Sequence, residues 1–299
     1  SAVESTRDAV EWYEVGHAIN RVKWGVWGFV DHRRLVEAVG RVADRFPEVC
    51  FTGPAGIDFE YPFVLQALKS LPEGMRFGAL SHHLYVDRRG APENRQGLFS
   101  TLEKCALATA MADVSDRCDD RLIVSEANWP LRGTGVYSPV GSPYESPGPR
   151  SNDPSVDEAT YADYMTRYLL IALCSGCVER VVWWRLAAHG YGLIDDGPDG
   201  RQWRKRPAFA ALRTLLGRVG EATFVEKHTG GAGDHAYRFE RPDGDGCCVA
   251  YTTGGPHEVR LPWKVEDGVD AFGAPWPADA VGEDGTVRLT GRPVFLRVK

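Results

Sequence analysis

The chain has 299 residues, of which 43% are hydrophobic and 11% aromatic, so it is long enough to bury a large core. Its formal net charge of −6 argues against a basic groove for nucleic acid and against attraction to an anionic membrane surface. No apolar run approaches the ~20 residues that a membrane-spanning helix needs.

Short apolar runs alternate with helical patterns over the first two thirds of the chain. Predicted strands cover residues 11–20, 49–54, 77–85, 122–127 and 181–186, and predicted helices cover 1–12, 35–46, 63–71, 98–114 and 157–174. Strands that alternate with helices predict parallel βαβ units and an α/β fold.

Glu126 ends a short β-branched run and is followed by Trp129 and Pro130. The run is too short for a helix, and residues at the carboxyl ends of barrel strands face the substrate. We therefore interpret Glu126 as a reactive acid and Trp129 as a flat apolar surface for a sugar ring. The alternative is a glutamate that only caps a loop.

The order of the motifs resembles that of clan A glycoside hydrolases, especially the xylosidase-like families that carry a small C-terminal β domain. Three motifs carry this resemblance, which covers nearly the whole chain: Glu126 before Trp129-Pro130, Ser81-x-His83-x-Tyr85, and Trp183-Trp184. They are similar to the ends of strands seven, six and eight in those enzymes. The resemblance implies a (β/α)8 TIM barrel with strands four to eight present and the first three missing, followed by an antiparallel β sandwich.

The resemblance fails at two positions of the strand-four pattern Glu-x-Gly-Asn-Glu-x-Asn. Glu14, Gly16 and Asn20 match it, whereas His17 replaces the asparagine and Ala18 replaces the acid/base glutamate. A retaining glycosidase needs two carboxyl groups roughly 5–5.5 Å apart. Loss of the acid/base typically costs about 10²–10⁴ in rate. The sequence leaves open whether Ala18 is the natural residue or an engineered replacement.

Three other residues are candidates for the missing proton donor. In an unbroken strand Glu14 would lie roughly 13 Å deeper than Ala18, as an interior residue paired with a cation. The pKa of His17 suits proton transfer, but we expect this residue to bind the sugar 2-hydroxyl instead. Glu93 lies on the loop after strand six, where a solvated carboxylate is expected.

The resemblance also implies roles for the remaining site residues. Tyr85 would hydrogen-bond the nucleophile and His83 would frame the subsite, and Asn20, Trp183 and Trp184 would contact substrate. A core histidine and a tyrosine packed at the barrel rim are the alternatives. Since neither a cysteine nor an acid lies at ligand spacing beside the histidines, we expect no metal and no cofactor.

The pattern changes near residue 220. Short strands separated by Gly and Pro turns cover 224–227, 236–239, 248–251, 258–261, 287–289 and 294–298. We therefore divide the chain into a barrel domain, 1–219, and a β-sandwich accessory domain, 220–299. The stretch 133–154 is rich in Gly, Pro and Ser and is expected to form a lid over the site.

Residues 1–219 are fewer than the roughly 250 of a complete barrel, and an open sheet would expose an edge. We therefore expect a missing N-terminal segment or a second chain to complete the barrel. The seven cysteines follow no disulfide pattern, which slightly favours a reducing, cytoplasmic compartment.

Two functions are compatible with these patterns. The first is a retaining glycoside hydrolase that acts on an O-glycosidic bond of an oligosaccharide or glycoside, with Glu126 as nucleophile and the acid/base altered at Ala18. The alternative is a non-catalytic glycan-binding protein that kept the cleft and lost the acid.

Overall fold

The computed structural model describes residues 2–86, 90–135, 155–231, 233–277, 280–282 and 285–299, and these form two compact units. The first unit consists mainly of Ser1–Pro130 and Ile171–Trp184, and the second mainly of Val156–Leu170 and Arg185–Lys299. The domain boundary predicted after residue 219 falls inside the second unit. No helix in the described part of the chain is both long and apolar enough to span a bilayer.

The first unit contains a parallel half-barrel of five strands in the order β1-β2-β3-β4-β5, consistent with part of a TIM barrel. The strands are β1 (Trp12–Glu14), β2 (Cys50–Ile57), β3 (Ala79–His83), β4 (Leu122–Ala127) and β5 (Val178–Trp183). The helices of this unit are α1 (Ala2–Thr6), α2 (Phe29–Ala43), α3 (Tyr61–Lys69) and α4 (Thr101–Ser115), with a 3-10 turn at Val22–Trp24. A further helix, α5 (Glu158–Leu173), contributes residues to both units.

The central strands β3 and β4 are buried along nearly their whole length. Leu122 and Val124 of β4 are fully buried, as are Ala79 and Leu80 of β3. Such continuous burial is typical of parallel strands, which helices cover from outside. This packing fixes the position of the β4 carboxyl end, which carries Glu126.

Two elements predicted at the beginning of the chain are shorter than expected. Helix α1 ends at Thr6 and strand β1 ends at Glu14, whereas the sequence predicted a helix over 1–12 and a strand over 11–20. The strand stops because Gly16 and Ala18 have φ angles of +88° and +43°, which a β-strand does not accommodate. Gly16 cannot be replaced easily, since a Cβ there would lie 2.6 Å from Ile19 Cγ2.

The second unit is mainly antiparallel. Its five-stranded sheet has the order β12-β14-β10-β9-β8, and two-stranded sheets pair β11 with β13 and β6 with β7. The elements are β6 (Ile194–Asp195), β7 (Arg204–Lys205), α6 (Pro207–Val219), β8 (Thr223–His228), β9 (Asp234–Glu240), β10 (Gly246–Thr252), β11 (His257–Arg260), β12 (Val265–Val269), β13 (Thr286–Leu289) and β14 (Val294–Val298). One hydrophobic cluster contains buried residues of both the five-stranded sheet and the β11–β13 pair. Strand β12 was not predicted, because its sequence Val-Glu-Asp-Gly-Val carries two acids and a glycine.

Candidate active site

Glu126 lies near the carboxyl end of β4, and only 2% of its surface is exposed. The Tyr85 hydroxyl, just beyond the end of β3, donates a short hydrogen bond to Glu126 Oε1. A carboxylate that accepts such a bond is held in one orientation, and its negative charge is stabilised.

His83 lies between two carboxylates. Its Nε2 is 3.4 Å from Glu14 Oε2, and its Nδ1 is 4.0 Å from Glu126 Oε2. The imidazole is 1% exposed. Ser125, which precedes Glu126 in β4, donates a hydrogen bond from its hydroxyl to Glu14 Oε1. Side chains from the carboxyl ends of β1, β3 and β4 therefore meet around one histidine ring.

The position of Glu14 corrects the expectation that it lies deep in the barrel with a cation. That expectation assumed an unbroken strand to residue 20, whereas β1 ends at Glu14 itself. The carboxylate reaches His83 and Ser125, and 26% of the Glu14 side chain is exposed. Burial raises the pKa of Glu14, but the hydrogen bonds from His83 and Ser125 outweigh it, so its pKa lies below the usual value.

Ala18 occupies the position of the expected acid/base residue and is fully buried. It packs in one hydrophobic cluster with Ile57 of β2 and Tyr85. Tyr85 thus belongs to the same buried cluster as Ala18 and also hydrogen-bonds Glu126.

His17 joins the site because the chain bends between Gly16 and Ala18. Its ring centroid lies 4.7 Å from that of His83 and 4.3 Å from that of Trp24, which it meets edge-on. Burial and the nearby His83 lower the pKa of His17 below the usual value, so the imidazole is neutral at neutral pH.

Trp24 was missed in the sequence analysis. It ends the 3-10 turn at Val22–Trp24, is 45% exposed and contacts His17. The available signal was an aromatic residue close after the strand-four motif, within Trp24-Gly25-Val26-Trp27.

The structure also corrects the premise that no acid lies beside the histidines. One potential ligand atom from each of Glu14, His17 and His83 lies within 4.8 Å of the others. Spacing along the sequence could not indicate this group, because His83 comes from a different strand end.

Asn20 uses its side chain on the protein itself. Its Nδ2 donates to Ile57 O at 3.0 Å and to Glu60 Oε2 at 2.8 Å, and its Oδ1 accepts from Ile57 N at 2.9 Å. These bonds hold the loop after β1 against the end of β2.

The tryptophans near β4 and β5 are packed together. Trp129 is 1% exposed, donates from Nε1 to Gly90 O at 2.9 Å and stacks on Trp183 with ring centroids 5.8 Å apart. In this conformation Trp129 therefore packs in the interior and lacks the open face expected from the sequence. Trp183 and Trp184 are half-buried, and the Trp184 carbonyl accepts a bond from Asn128. The predicted lid, 133–154, lies almost entirely outside the described residues.

Comparison of the sequence with protein-family models gives no match, and neither does comparison with curated protein sequences. Solved structures do match the fold. A family 39 glycoside hydrolase from Bacteroides cellulosilyticus WH2 matches 100% of this chain with a TM-score of 0.69 at 17% identity. A family 51 α-L-arabinofuranosidase from Bifidobacterium longum matches 97% with a TM-score of 0.61 at 12% identity. The GH51 arabinofuranosidase from Xanthomonas axonopodis pv. citri matches 100% with a TM-score of 0.58 at 14% identity.

The match covers only part of each of these proteins. This chain spans 60% of the family 39 structure, 68% of the Bifidobacterium structure and 70% of the Xanthomonas structure. At such low identity the likeness concerns the fold and not the chemistry of the site. The fold of the chain matches part of the fold of clan A glycoside hydrolases.

Proposed function

We propose that the chain is a retaining glycoside hydrolase-like protein in which Glu126 is the nucleophile and the general acid/base is altered at position 18. One observation carries the proposal: a buried carboxylate at a strand end accepts a hydrogen bond from Tyr85, which belongs to the same buried cluster as Ala18. The substrate class is a glycoside or oligosaccharide with an O-glycosidic bond.

In this mechanism a Glu126 oxygen attacks the anomeric carbon and the bond to the leaving group breaks. A glycosyl-enzyme ester forms, and water then releases the sugar. The Tyr85 hydroxyl would hold the carboxylate in place for attack and stabilise its charge when the ester is cleaved. Residues 220–299 would act as a β-sandwich accessory domain.

Ala18 has no proton to give the leaving oxygen. Departure of an ordinary sugar alkoxide would therefore be slow, whereas an aryl group of low pKa departs without protonation. The protein should consequently favour activated aryl glycosides over natural linkages.

Several side chains would surround the sugar. His17 would replace the asparagine that binds the 2-hydroxyl, and His83 would frame the same subsite. Trp24 is half-exposed beside His17 and offers an apolar surface. Asn20, Trp129, Trp183 and Trp184 remain proposed contacts, of which Trp129 requires its buried ring to become accessible.

The test is covalent trapping. The protein is incubated with a panel of 2-deoxy-2-fluoro glycosides that carry a dinitrophenolate leaving group, and the labelled peptide is identified by mass spectrometry. We expect one sugar on Glu126. Glu126→Gln should abolish the label, whereas Glu93→Gln, which alters an acid on the loop after β3, should retain it. Labelling of another residue would contradict the proposal.

The alternative function is a non-catalytic glycan-binding protein, which the absence of a proton donor at Ala18 favours. It predicts saturable binding of oligosaccharides together with no labelling of Glu126 by any member of the panel. Isothermal titration with the same sugars, in parallel with the trapping experiment, distinguishes the two functions.

A further inference from the structure

An unusual set of potential metal ligands lies beside Glu126. It consists of Glu14, His17 and His83. Their potential ligand atoms lie within 4.8 Å of one another, although they come from the ends of β1 and β3 and from the bend after β1. His17 stands where the strand-four pattern has asparagine. The substitution that removed the asparagine therefore completes a group of two imidazoles and one carboxylate.

This set of ligand atoms is typical of zinc sites. Two histidines and one glutamate are the protein ligands of open zinc sites, which leave a fourth position for water or substrate. Metal binding requires neutral imidazoles and an ionised carboxylate.

The groups behind the three residues also fit a metal site. Ser125 donates a hydrogen bond to Glu14 Oε1, which leaves Oε2 facing His83. His83 points Nε2 at Glu14, while its Nδ1 faces Glu126 Oε2 at 4.0 Å. That Nδ1 is buried and has no hydrogen-bond partner among the described residues. A histidine ligand commonly turns its second nitrogen to a carboxylate in this way.

The required movement is small. Donor atoms around a tetrahedral zinc ion at about 2.0–2.1 Å lie about 3.4 Å apart. A pair separated by the full 4.8 Å must therefore close by about 1.4 Å. Rotation of the His17 ring provides such a movement, because His17 is half-buried and lies on a bend instead of in a strand.

We propose that Glu14, His17 and His83 bind one divalent transition-metal ion of the zinc class, with a fourth position open to water or to a sugar hydroxyl. The ion would place a Lewis acid close to the position where Ala18 provides no acid. The proposal rests on the donor geometry and not on the proposed glycosidase function.

The experiment uses the whole chain after chelation and buffer exchange. Cobalt(II) is titrated in as the probe, and visible absorption reports the ligand field while elemental analysis of a zinc-loaded sample gives the stoichiometry. We expect one ion per chain and the absorption bands of a four-coordinate cobalt site. Ser125→Ala, which removes an outer hydrogen bond, should weaken binding about 10–100-fold.

His17→Asn should abolish the cobalt spectrum. The matched control is His257→Asn, because His257 is an exposed histidine that also faces a carboxylate, with Nε2 3.1 Å from Asp234 Oδ1. The control should bind cobalt as the unaltered protein does. Failure of the unaltered protein to bind stoichiometric cobalt overturns the proposal, as does equal binding by His17→Asn. The titration contains no sugar, so its outcome is independent of fluorosugar labelling of Glu126.

Discussion

Tyr85 and Glu126 are 41 residues apart in the chain, yet the tyrosine hydroxyl donates directly to the glutamate Oε1. Both side chains are 2% exposed. Tyr85 also lies in one buried cluster with Ala18, so a single residue connects Glu126 with the position where the sequence pattern predicted an acid.

Replacement of Tyr85 by phenylalanine should slow turnover of an activated aryl glycoside about 10- to 100-fold. A hydrogen bond to a charged group contributes about 1.5–3 kcal/mol, and each 1.36 kcal/mol corresponds to a tenfold change in rate. Steady-state kinetics measure the effect. The matched control is Tyr13→Phe, since Tyr13 hydrogen-bonds the exposed Thr6 hydroxyl at 2.8 Å and should leave the rate unchanged. Equal rates for Tyr85→Phe and the unaltered protein would show that the hydroxyl plays no part in the reaction.

Replacement of Ala18 by glutamate should raise hydrolysis of glycosides with poor leaving groups by up to about 10²–10⁴. Ala18 lies in one buried cluster with Ile57 and Tyr85, and Tyr85 hydrogen-bonds Glu126, so an acid introduced at position 18 joins the cluster that contains the hydrogen-bond partner of Glu126. Ala18→Gln has the same size without the acid and should give no increase. If the glutamate variant gains nothing over the glutamine variant, the proton donor lies elsewhere.

Arg206 should be essential for the loop after β5. Its side chain is 1% exposed and donates to Ala188 O at 2.9 Å and to Gly192 O at 2.8 Å, while Glu158 Oε1 lies 3.0 Å away. Lysine cannot replace these hydrogen bonds, because its ammonium group lacks the several N–H donors that the planar guanidinium group of arginine holds in a fixed geometry. Arg206→Lys should therefore lower the free energy of unfolding by about 1.5–3 kcal/mol, as expected when hydrogen bonds from a buried charged group are lost.

The control for Arg206 is Arg204, which also pairs with Glu158. In contrast to Arg206, 56% of the Arg204 side chain is exposed. Arg204→Lys should cost at most about 1 kcal/mol. Urea denaturation of both variants measures the two losses in free energy of unfolding. Comparable losses would show that the burial of Arg206 does not account for its effect.

His32 of α2 is fully buried, and neither ring nitrogen has a hydrogen-bond partner among the described residues. Burial lowers its pKa from 6.5 to about 4. The pKa of His32 is lower in the folded state than in the unfolded state. The contribution of His32 to the free energy of unfolding is therefore fully present above pH 6.5 and is lost as the pH falls toward 4.

Replacement of His32 by leucine should therefore stabilise the protein, and more so in acid. Removal of unsatisfied polar atoms contributes about 1–3 kcal/mol at neutral pH. Between pH 7.5 and pH 5 the advantage of His32→Leu should grow by about 2 kcal/mol. Thermal melting at the two pH values measures it; an advantage that does not change with pH would exclude titration of His32 as its source.

The sequence predicted the alternation of helices and strands because apolar residues repeat with a different period in helices than in strands. Strand β4, helix α4 and strands β9, β10 and β14 lie close to their predicted bounds. The sequence did not predict strand β12, nor did it predict where strand β1 ends. In β12 pairing with β14 overrides an unfavourable composition, and in β1 two left-handed residues interrupt an apolar pattern that continues beyond them.

The sequence alone identified the candidate residues: a glutamate at a strand end, a Ser-x-His-x-Tyr motif, and an alanine where an acid was expected. The three-dimensional fold determines which of them meet. Glu14, His17 and His83 converge because parallel strands place their carboxyl ends at one edge, and because a bend after β1 turns His17 toward His83. Trp129 became interior because Trp183 covers its ring. Neither result follows from sequence spacing, since both depend on contacts between segments that are far apart in the chain.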